Sequence, residues 1–152
     1  MATRLAPTVS PDTEFFWNGV RDHKLLIQRC KGCQALRQPP RPMCPACNSL
    51  EWDTVESSGR GAVYSYVVPQ HPPMPFMEYP YIVALIELDE GVRLVSNLRE
   101  IAPDGVEVGM PVEVFYETFD SALDDTALDD TARDDTAREK QDLVLHQFRP
   151  TH

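Results

Sequence analysis

The second half of the chain alternates between short apolar runs and turn-forming residues, a pattern typical of β-strands. Residues 62–68 are rich in valine and tyrosine, and residues 81–88 form a nearly continuous apolar run. A turn signal, Asp-Glu-Gly at 89–91, leads into the next strand. The five predicted strands span residues 62–68, 81–88, 92–99, 112–119 and 143–148. Five strands within about ninety residues predict a small, mainly β barrel.

A short helix is predicted before the strands. Residues 10–12, Ser-Pro-Asp, are a helix-start signal with serine as the N-cap, and the helix should run to about residue 22. Phe15 and Phe16 fall on one apolar stripe, and Trp17 adds bulk beside it. Such a stripe usually packs into a core. The alternative is that these three side chains bind a partner protein, because the module that follows is small.

Four cysteines form two CxxC pairs, Cys30 with Cys33 and Cys44 with Cys47, framed by predicted strands. Two residues between thiolates let one turn present both sulfurs to a tetrahedral ion, so the spacing favours structural zinc (Zn²⁺). A disulfide framework and a redox pair are the alternatives. A closed four-cysteine site leaves no coordination position for water, and we therefore expect no hydrolytic chemistry from the metal.

Two proline-rich segments are candidate functional loops. Residues 37–42 are extended, stiff and basic, since proline fixes its own φ angle and disfavours helix before it. Residues 69–80 form a long loop that carries His71, Phe76 and Met77. Long loops with apolar side chains are more often functional than bare connectors, and Phe76 and Met77 are candidate partner contacts. For His71, a hydrogen-bonded or solvent-facing position in the loop is a more frequent role than a catalytic one.

An acidic repeat lies between the last two predicted strands. Between residues 120 and 142 the sequence Ala-Leu-Asp-Asp-Thr recurs with a period of five, which builds no continuous apolar face on a helix or a strand. We expect a solvated, disordered loop. The predicted organisation is an N-terminal segment and helix over 1–23, the ribbon over 24–57, and the barrel over 58–150 with this loop at 120–142.

The overall charge narrows the class of partner. The 152 residues include 24 acidic and 14 basic side chains, for a net charge of -10. Nucleic acids and anionic membranes attract clustered Lys and Arg, so this balance disfavours both. No run of about 18 apolar residues is present, and residues 1–10 lack the apolar core of a signal peptide. The sequence predicts a cytoplasmic protein with no membrane partner.

Taken together, these segments resemble a known family. The paired cysteines followed by Gly-Ala-Val-Tyr-Ser-Tyr-Val-Val at 61–68, the run at 80–91 and Gly-Met-Pro-Val-Glu-Val at 109–114 are similar to an acyl-CoA-associated family long catalogued as a domain of unknown function. That family joins a rubredoxin-like zinc ribbon to an OB-fold. The resemblance implies an N-terminal helix, a four-cysteine zinc ribbon and a five-stranded OB-fold barrel. It covers about residues 12–119 and the last strand, and leaves the acidic repeat outside.

The resemblance also implies a function. Family members are accessory subunits of thiolase-superfamily enzymes that act on acyl-CoA thioesters, and residues 30–68 are similar to the version that partners a retro-aldolase of actinobacterial steroid side-chain degradation. The implied partners are a sterol-carrier-protein-x-like aldolase of thiolase fold and an enoyl-CoA hydratase, to which such domains are often fused. The expected role is non-catalytic support of the cleavage of a β-hydroxyacyl-CoA. The chain would then be a stand-alone subunit or part of a longer hydratase fusion.

Acyl-CoA is the expected ligand of the complex, and the candidate contacts combine cations for phosphate with apolar or aromatic groups for the pantetheine or acyl part. One face of the predicted strand 92–99 is polar and contributes two of the cations. The candidate residues are Arg37, Arg41, Arg60, Tyr66, His71, Arg93 and Arg99.

Two other functions stay open from the sequence. Zinc ribbons and OB-folds also bind single-stranded nucleic acid through basic grooves and stacking aromatics. Residues 117–142 hold ten acidic and three basic side chains, so the remainder of the chain is still at -3 and disfavours that role. An independent enzyme would need a nucleophile and base, or a phosphate-binding loop, and no motif for either is recognisable.

Overall fold

A computed structural model describes residues 3–122 and 142–151. One helix, α1 (Glu14–Arg21), and a 3₁₀ turn (Pro103–Gly105) accompany nine strands. The strands are β1 (Thr3–Leu5), β2 (Leu26–Cys30), β3 (Leu36–Arg37), β4 (Trp52–Glu56), β5 (Arg60–Val67), β6 (Ile82–Leu88), β7 (Arg93–Leu98), β8 (Pro111–Ala122) and β9 (Asp142–Pro150).

Strands β5 to β9 close into a five-stranded barrel of OB-fold type. The larger sheet has the order β1-β8-β5-β6-β7-β9, and a second pairing of β8 with β9 closes it. Hairpins explain the first antiparallel pairs, because β5 and β6, and then β6 and β7, follow one another in the chain. All five strands predicted for the barrel are present. The expected fold class, mainly β with a helix, a ribbon and a barrel, is confirmed.

Alternation along the barrel strands places the core. In β6 the buried residues are Ile82, Ala84, Ile86 and Leu88, at every second position. In β7, Leu94 and Leu98 point inward while Arg93 and Val95 are exposed, so the outer face of this strand carries both polar and apolar side chains and not the purely polar set expected. The inward side chains of β7 fill the barrel core, so its outward side chains are available for contacts with other parts of the molecule.

The ribbon is a small antiparallel sheet of order β3-β2-β4. Strand β2 leads into the first cysteine pair and β4 follows the second, as the sequence predicts. Arg29 and Asp53 face each other across β2 and β4 and form a two-pronged ion pair at 2.8 and 2.7 Å. This half-exposed pair lowers the pKa of the Asp53 carboxyl through its hydrogen bonds with the guanidinium.

Helix α1 begins later than the sequence suggests. Its N-cap is Thr13 and its first residue is Glu14, so the prediction of Ser10 as the N-cap was wrong. The Ser10 carbonyl accepts hydrogen bonds from the N–H groups of Thr13 and Glu14. The Ser10 N–H donates a hydrogen bond to the Thr13 hydroxyl. These bonds form a separate turn ahead of the helix. Among the described residues, no helix is long and apolar enough to cross a membrane.

Strand β1 was not predicted. It pairs in parallel with the end of β8, where Arg4 aligns with Ser121, and buries the Arg4 side chain at 5% exposure. The predicted bounds of the acidic loop, 120–142, were too wide, because residues 120–122 belong to β8 and residue 142 belongs to β9. Residues 123–141, which carry the repeat, lie outside the described residues.

Replacing Gly61 with alanine is expected to destabilise the barrel. Gly61 lies in β5 between β6 and β8, and an added Cβ would come 2.3 Å from the backbone carbonyl oxygen of Glu87. Since backbone cannot move aside as a side chain can, we expect a loss of about 1–3 kcal/mol in the free energy of unfolding. Thermal and urea unfolding measure it. Gly105→Ala is the control, because its Cβ would meet only the Ile101 side chain at 3.3 Å. Equal stability of the two variants would contradict the expectation.

Candidate functional site

The four cysteines come together in one cluster. Their Sγ atoms all lie within 4.8 Å of one another, with Cys30 3.5 Å from Cys47 and Cys33 3.6 Å from Cys44. Cys30 and Cys44 are buried, whereas Cys33 and Cys47 are exposed. Four sulfurs converging from two CxxC turns match the donor set of a closed tetrahedral zinc site. The predicted metal ligands are thus brought together.

The two cysteine turns have the same backbone hydrogen bonds. The N–H of Gln34 donates to the carbonyl of Cys30 at 3.0 Å, and the N–H of Asn48 donates to that of Cys44 at 2.9 Å. Gln34 and Asn48 also share a left-handed φ, 65° and 61°. These two positions were not predicted from the sequence. Asparagine after the second pair was the available signal, since it tolerates positive φ better than most residues.

Backbone N–H groups stabilise negative charge on the sulfurs. Hydrogen bonds from the N–H groups of Cys47 and Ala46 lower the pKa of the Cys44 thiol to about 6. The N–H of Gly32 donates to the Cys30 sulfur at 3.3 Å. A thiolate is the form that binds metal, so these bonds favour metal binding at Cys44 and Cys30. At Cys47 the hydrogen bond from the Ser49 N–H lowers the pKa, but hydrogen bonding with the Cys30 sulfur and burial outweigh it and raise the pKa of this thiol to about 11. The cysteines would hold the ion as a structural centre.

Three of the candidate arginines meet in a groove between the ribbon and the barrel. Arg37 and Arg41 belong to β3 and the proline-rich segment that follows it, and Arg93 begins β7. The groove has a volume of about 390 Å³. We call it the basic groove; its lining is Leu36, Arg37, Gln38, Pro39, Arg41, Pro45, Gly91, Val92 and Arg93.

Arg37 is buried, which the sequence did not indicate. It is 5% exposed, and its Nε donates to the Gln28 side-chain oxygen at 3.0 Å. The same oxygen accepts the backbone N–H of Arg41 at 2.9 Å. Both terminal nitrogens of Arg37 are buried without a hydrogen-bond partner in the described part of the chain. A buried cation without partners is costly, so this side of the groove is suited to an anion.

Arg93 is partly neutralised within the structure. Its Nε donates to Glu87 at 2.9 Å, and its guanidinium lies 3.6 Å from the centre of the Tyr64 ring. The hydrogen bond to Glu87 raises the pKa of Arg93. Arg41, by contrast, is exposed at the mouth of the groove. The strongest unpaired cations of the basic groove are therefore Arg37 and Arg41.

The remaining candidate ligand contacts lie outside the lining of this groove. Arg99 lines a separate pocket of about 330 Å³ and lies 3.6 Å from Glu117 and 3.8 Å from Glu78. Arg60 begins β5 opposite Glu113. Tyr66 is half-exposed farther along β5, and His71 is exposed in the loop that follows.

The candidate partner contacts of α1 are turned inward. Phe16 is 5% exposed and packs in the core, which leaves little of this ring for a partner to contact. Phe15 packs against Trp52 with ring centres 4.9 Å apart. The reason is that α1 covers the joint between ribbon and barrel. Phe76 and Met77 are half-buried, and the Phe76 carbonyl accepts a hydrogen bond from Arg4 at 2.8 Å.

A second cavity adjoins the basic groove and shares Gln38, Pro39 and Arg93 with it. Its volume is about 460 Å³, and His146 of β9 lies in its wall. Alternation along β9 was the only available sequence signal for His146, and it does not distinguish this residue from others. We call this cavity the apolar cleft; it is lined by Thr13, Phe16, Trp17, Gln38, Pro39, Pro40, Leu85, Arg93, Leu94, Val95 and His146.

Two family profiles match adjoining parts of the chain. Residues 17–53 match the rubredoxin-like zinc ribbon domain of ChsH2, and residues 54–117 match the C-terminal OB-fold domain of ChsH2. The chain is 35% identical over 112 residues to a "DUF35 domain-containing scaffold protein" of Methanocaldococcus jannaschii, covering 72% of this chain and 79% of that protein. The sequence resemblance is confirmed.

Two further comparisons extend the match. The chain is 44% identical over 115 residues to the "3-oxo-4,17-pregnadiene-20-carboxyl-CoA hydratase alpha subunit" of Mycobacterium tuberculosis, over 76% of this chain but only 37% of that protein's length. A solved structure titled "Ltp2-ChsH2(DUF35) aldolase" superposes with a TM-score of 0.76 at 44% identity, covering 95% of this chain and 98% of the other. The chain therefore belongs to the ChsH2 (DUF35) family, in which a rubredoxin-like zinc ribbon is joined to an OB-fold domain.

Proposed function

We propose that this protein is a non-catalytic accessory subunit of a thiolase-superfamily aldolase that acts on acyl-CoA. The observation that carries the proposal is the end-to-end match with the chain of the "Ltp2-ChsH2(DUF35) aldolase", which extends over nearly the full length of both chains. A match of that extent includes the ribbon, the barrel and the joint between them. The partner is a thiolase-fold aldolase of the sterol-carrier-protein-x-like kind.

The chemistry of the described residues favours a non-catalytic role for this subunit. The four thiols, which would be the strongest nucleophiles of the chain, converge in the metal cluster. His146 is 8% exposed and contacts the rings of Phe16 and Trp17, an environment that disfavours the charged imidazolium needed in acid–base catalysis. In the proposed complex, the partner supplies the bond-breaking groups and this subunit helps to hold the thioester.

The basic groove is the proposed contact for the phosphates of CoA. Arg37, whose two terminal nitrogens are buried without a partner among the described residues, and Arg41, which is exposed, both line this groove. Guanidinium groups bind phosphate oxygens with paired, charge-assisted hydrogen bonds. The groove thereby offsets the net negative charge of the chain at one place, where an anionic ligand would otherwise be repelled.

The finer part of the proposal concerns the reaction. We infer retro-aldol cleavage of a steroid β-hydroxyacyl-CoA, in which the bond between the α and β carbons breaks, leaving a carbonyl compound and a shorter acyl-CoA. The name of the Mycobacterium relative, a hydratase subunit for a pregnadiene carboxyl-CoA, supports a steroid acyl group and an enoyl-CoA hydratase as a further partner. A hydratase would supply the β-hydroxyl group that such a cleavage requires.

Reconstitution tests the subunit role. The tagged protein is purified from its source cells at moderate salt, co-purifying proteins are identified by mass spectrometry, and acyl-CoA cleavage by the recovered partner is assayed with and without the subunit. We expect a thiolase-fold protein whose cleavage activity requires this chain. Recovery of the protein alone, or with nucleic acid, would contradict the proposal.

Charge reversal in the basic groove tests the ligand contact. Arg41→Glu in the assembled complex should raise the KM for acyl-CoA at least about tenfold, because a charge-assisted hydrogen bond contributes roughly 1.5–3 kcal/mol. Arg41 is suited to this test because its side chain is exposed, so folding should be preserved. The matched control is Arg21→Glu, the same exchange at an exposed arginine outside the groove that is not a candidate ligand contact. Similar KM values for both variants would exclude the groove as the phosphate contact.

A further inference from the structure

The apolar cleft has the size and composition of a ligand site. Three elements enclose it: Phe16 and Trp17 from α1, the proline-rich segment of the ribbon at Pro39 and Pro40, and the outer faces of the barrel strands. Its volume of about 460 Å³ falls within the usual range for small-molecule pockets, which are mostly apolar with a few converging polar groups. Side chains from ribbon, helix and barrel thus line one cavity.

His146 is the buried polar group of this cleft. It is 8% exposed, and neither ring nitrogen has a hydrogen-bond partner within the described residues. Its ring packs edge-on against Phe16 at 5.3 Å and tilted against Trp17 at 5.8 Å. Burial lowers the pKa of His146 to about 4, against a smaller raising effect of the nearby Val95 backbone, so the imidazole is neutral at pH 7 and has one N–H donor and one acceptor nitrogen.

Unpaired buried polar atoms are concentrated around this region. Seven such side-chain atoms occur among the described residues, and five of them belong to Arg37, Gln38 and His146. All three residues line the basic groove, the apolar cleft or both. Buried polar atoms nearly always have partners, and a group of exceptions indicates that something else supplies them. The unpaired atoms of the charged residue, Arg37, lie at the basic groove. Those of the neutral residues belong to His146, which lines the apolar cleft, and to Gln38, which lines both cavities.

We propose that the apolar cleft binds the hydrocarbon part of the ligand, and that His146 forms a hydrogen bond with a carbonyl or hydroxyl oxygen carried on that hydrocarbon. The inference rests on the proposed function for the anionic end of the same ligand, which lies in the basic groove. Gln38, Pro39 and Arg93 line both cavities, so one amphipathic molecule can extend from one into the other. A neutral imidazole among aromatic rings suits a neutral oxygen and disfavours a second charge. The accessory subunit would thereby discriminate between acyl groups.

Two small aromatic probes of equal size test the cleft without CoA and without a partner enzyme. 2-Acetylnaphthalene carries a ketone oxygen, and 2-isopropenylnaphthalene, in which a CH2 group replaces that oxygen, is its hydrocarbon counterpart. Each is titrated into the full-length protein while the ring nitrogens of His146 and the indole of Trp17 are observed by NMR. The ketone should bind roughly three- to tenfold more tightly than the hydrocarbon, as one additional hydrogen bond implies, and should shift the His146 signals.

Variants separate the hydrogen bond from the cavity. His146→Phe should remove the preference for the ketone. Val95→Trp should fill the cleft and abolish binding of both probes; Val95 is 61% exposed, so this change spares the core even if His146→Phe fails to fold. Val108→Trp is the matched control at a site 67% exposed and outside the cleft.

Equal affinity for the two probes, or binding that survives Val95→Trp, would overturn the inference. Absence of binding by both probes would overturn it as well, and would indicate that the cleft is closed by protein packing alone. None of these results depends on the aldolase. A failed reconstitution with intact probe binding would instead contradict the proposed subunit role and leave the cleft as a binding site.

Discussion

Cys44→Ala is expected to abolish zinc binding and to unfold the ribbon. Cys44 is fully buried, and its sulfur lies 3.6 Å from that of Cys33 in the cluster. Zinc binding contributes about 10–16 kcal/mol to small zinc domains of this kind, and a three-stranded ribbon sheet has little apolar core to compensate for its loss. We expect zinc content to fall from one ion per chain to nearly none, with loss of the cooperative unfolding transition of residues in β2, β3 and β4.

The measurements are zinc analysis by mass spectrometry and thermal unfolding followed by the fluorescence of Trp52, which lies in β4. Met43→Ala is the matched control, because Met43 precedes Cys44 in the chain and is 48% exposed. It should retain one zinc ion and the parent melting temperature. A Cys44→Ala protein that keeps both would show that the cluster does not stabilise the ribbon through metal.

The second large effect concerns acidification. The pKa of His146 is lowered to about 4 by burial, whereas a histidine in an unfolded chain titrates near 6.5. Between these values the unfolded chain binds the proton and the folded chain does not. The contribution of neutral His146 to stability is therefore complete above pH 6.5 and is lost as the pH falls towards 4, by on the order of 3 kcal/mol.

Urea unfolding between pH 4 and 8 measures this dependence. His146→Phe should flatten the profile relative to the parent protein, while His71→Phe should leave it unchanged, because His71 is exposed. Comparing the two variants removes the contribution of the cysteines, which also take up protons in acid. Arg93 is the charged residue that lines the same cleft, and it stays protonated throughout this range. Identical slopes for the two variants would rule out His146 as the source.

Local patterns in the sequence predicted the regular elements well. Strands with period-two alternation, such as β6 and β7, were placed within two residues, because one face of each strand is buried and the other is not. The cysteine cluster was predicted completely, since two CxxC turns leave few arrangements for four thiolates. In both cases the information lies within a few neighbouring residues.

Features created by contacts between distant segments were missed. Strand β1 has three residues and exists because it pairs with residues 120–122, more than a hundred positions away. Arg37 lies in a basic, proline-rich stretch that reads as solvated, and becomes buried when its Nε meets Gln28 of β2. His146 becomes notable only once α1 covers it. No local pattern encodes such long-range pairings.

Two candidate arginines that share one strand face lie at different places in the fold. Arg93 and Arg99 lie on the same face of one strand by parity, which is why they were grouped. Six residues along a strand span about 20 Å, however, so the two guanidinium groups belong to different ends of β7. The structure accordingly gives Arg93 to the basic groove and Arg99 to the pocket beside Glu78 and Glu117. Parity assigns a face, and only the fold assigns a position along it.

The barrel is closed unevenly. Strands β8 and β9 share nine register pairs, from Val112 with Pro150 to Asp120 with Asp142, whereas β7 and β9 share one described pair, Leu98 with Phe148. A hydrogen bond from the Ser96 hydroxyl to the His146 carbonyl adds to that single pair. Local opening should therefore start at this seam, since it breaks the fewest backbone bonds. The apolar cleft borders the seam. A ligand that binds only the closed form would therefore reduce local opening of the whole barrel by mass action.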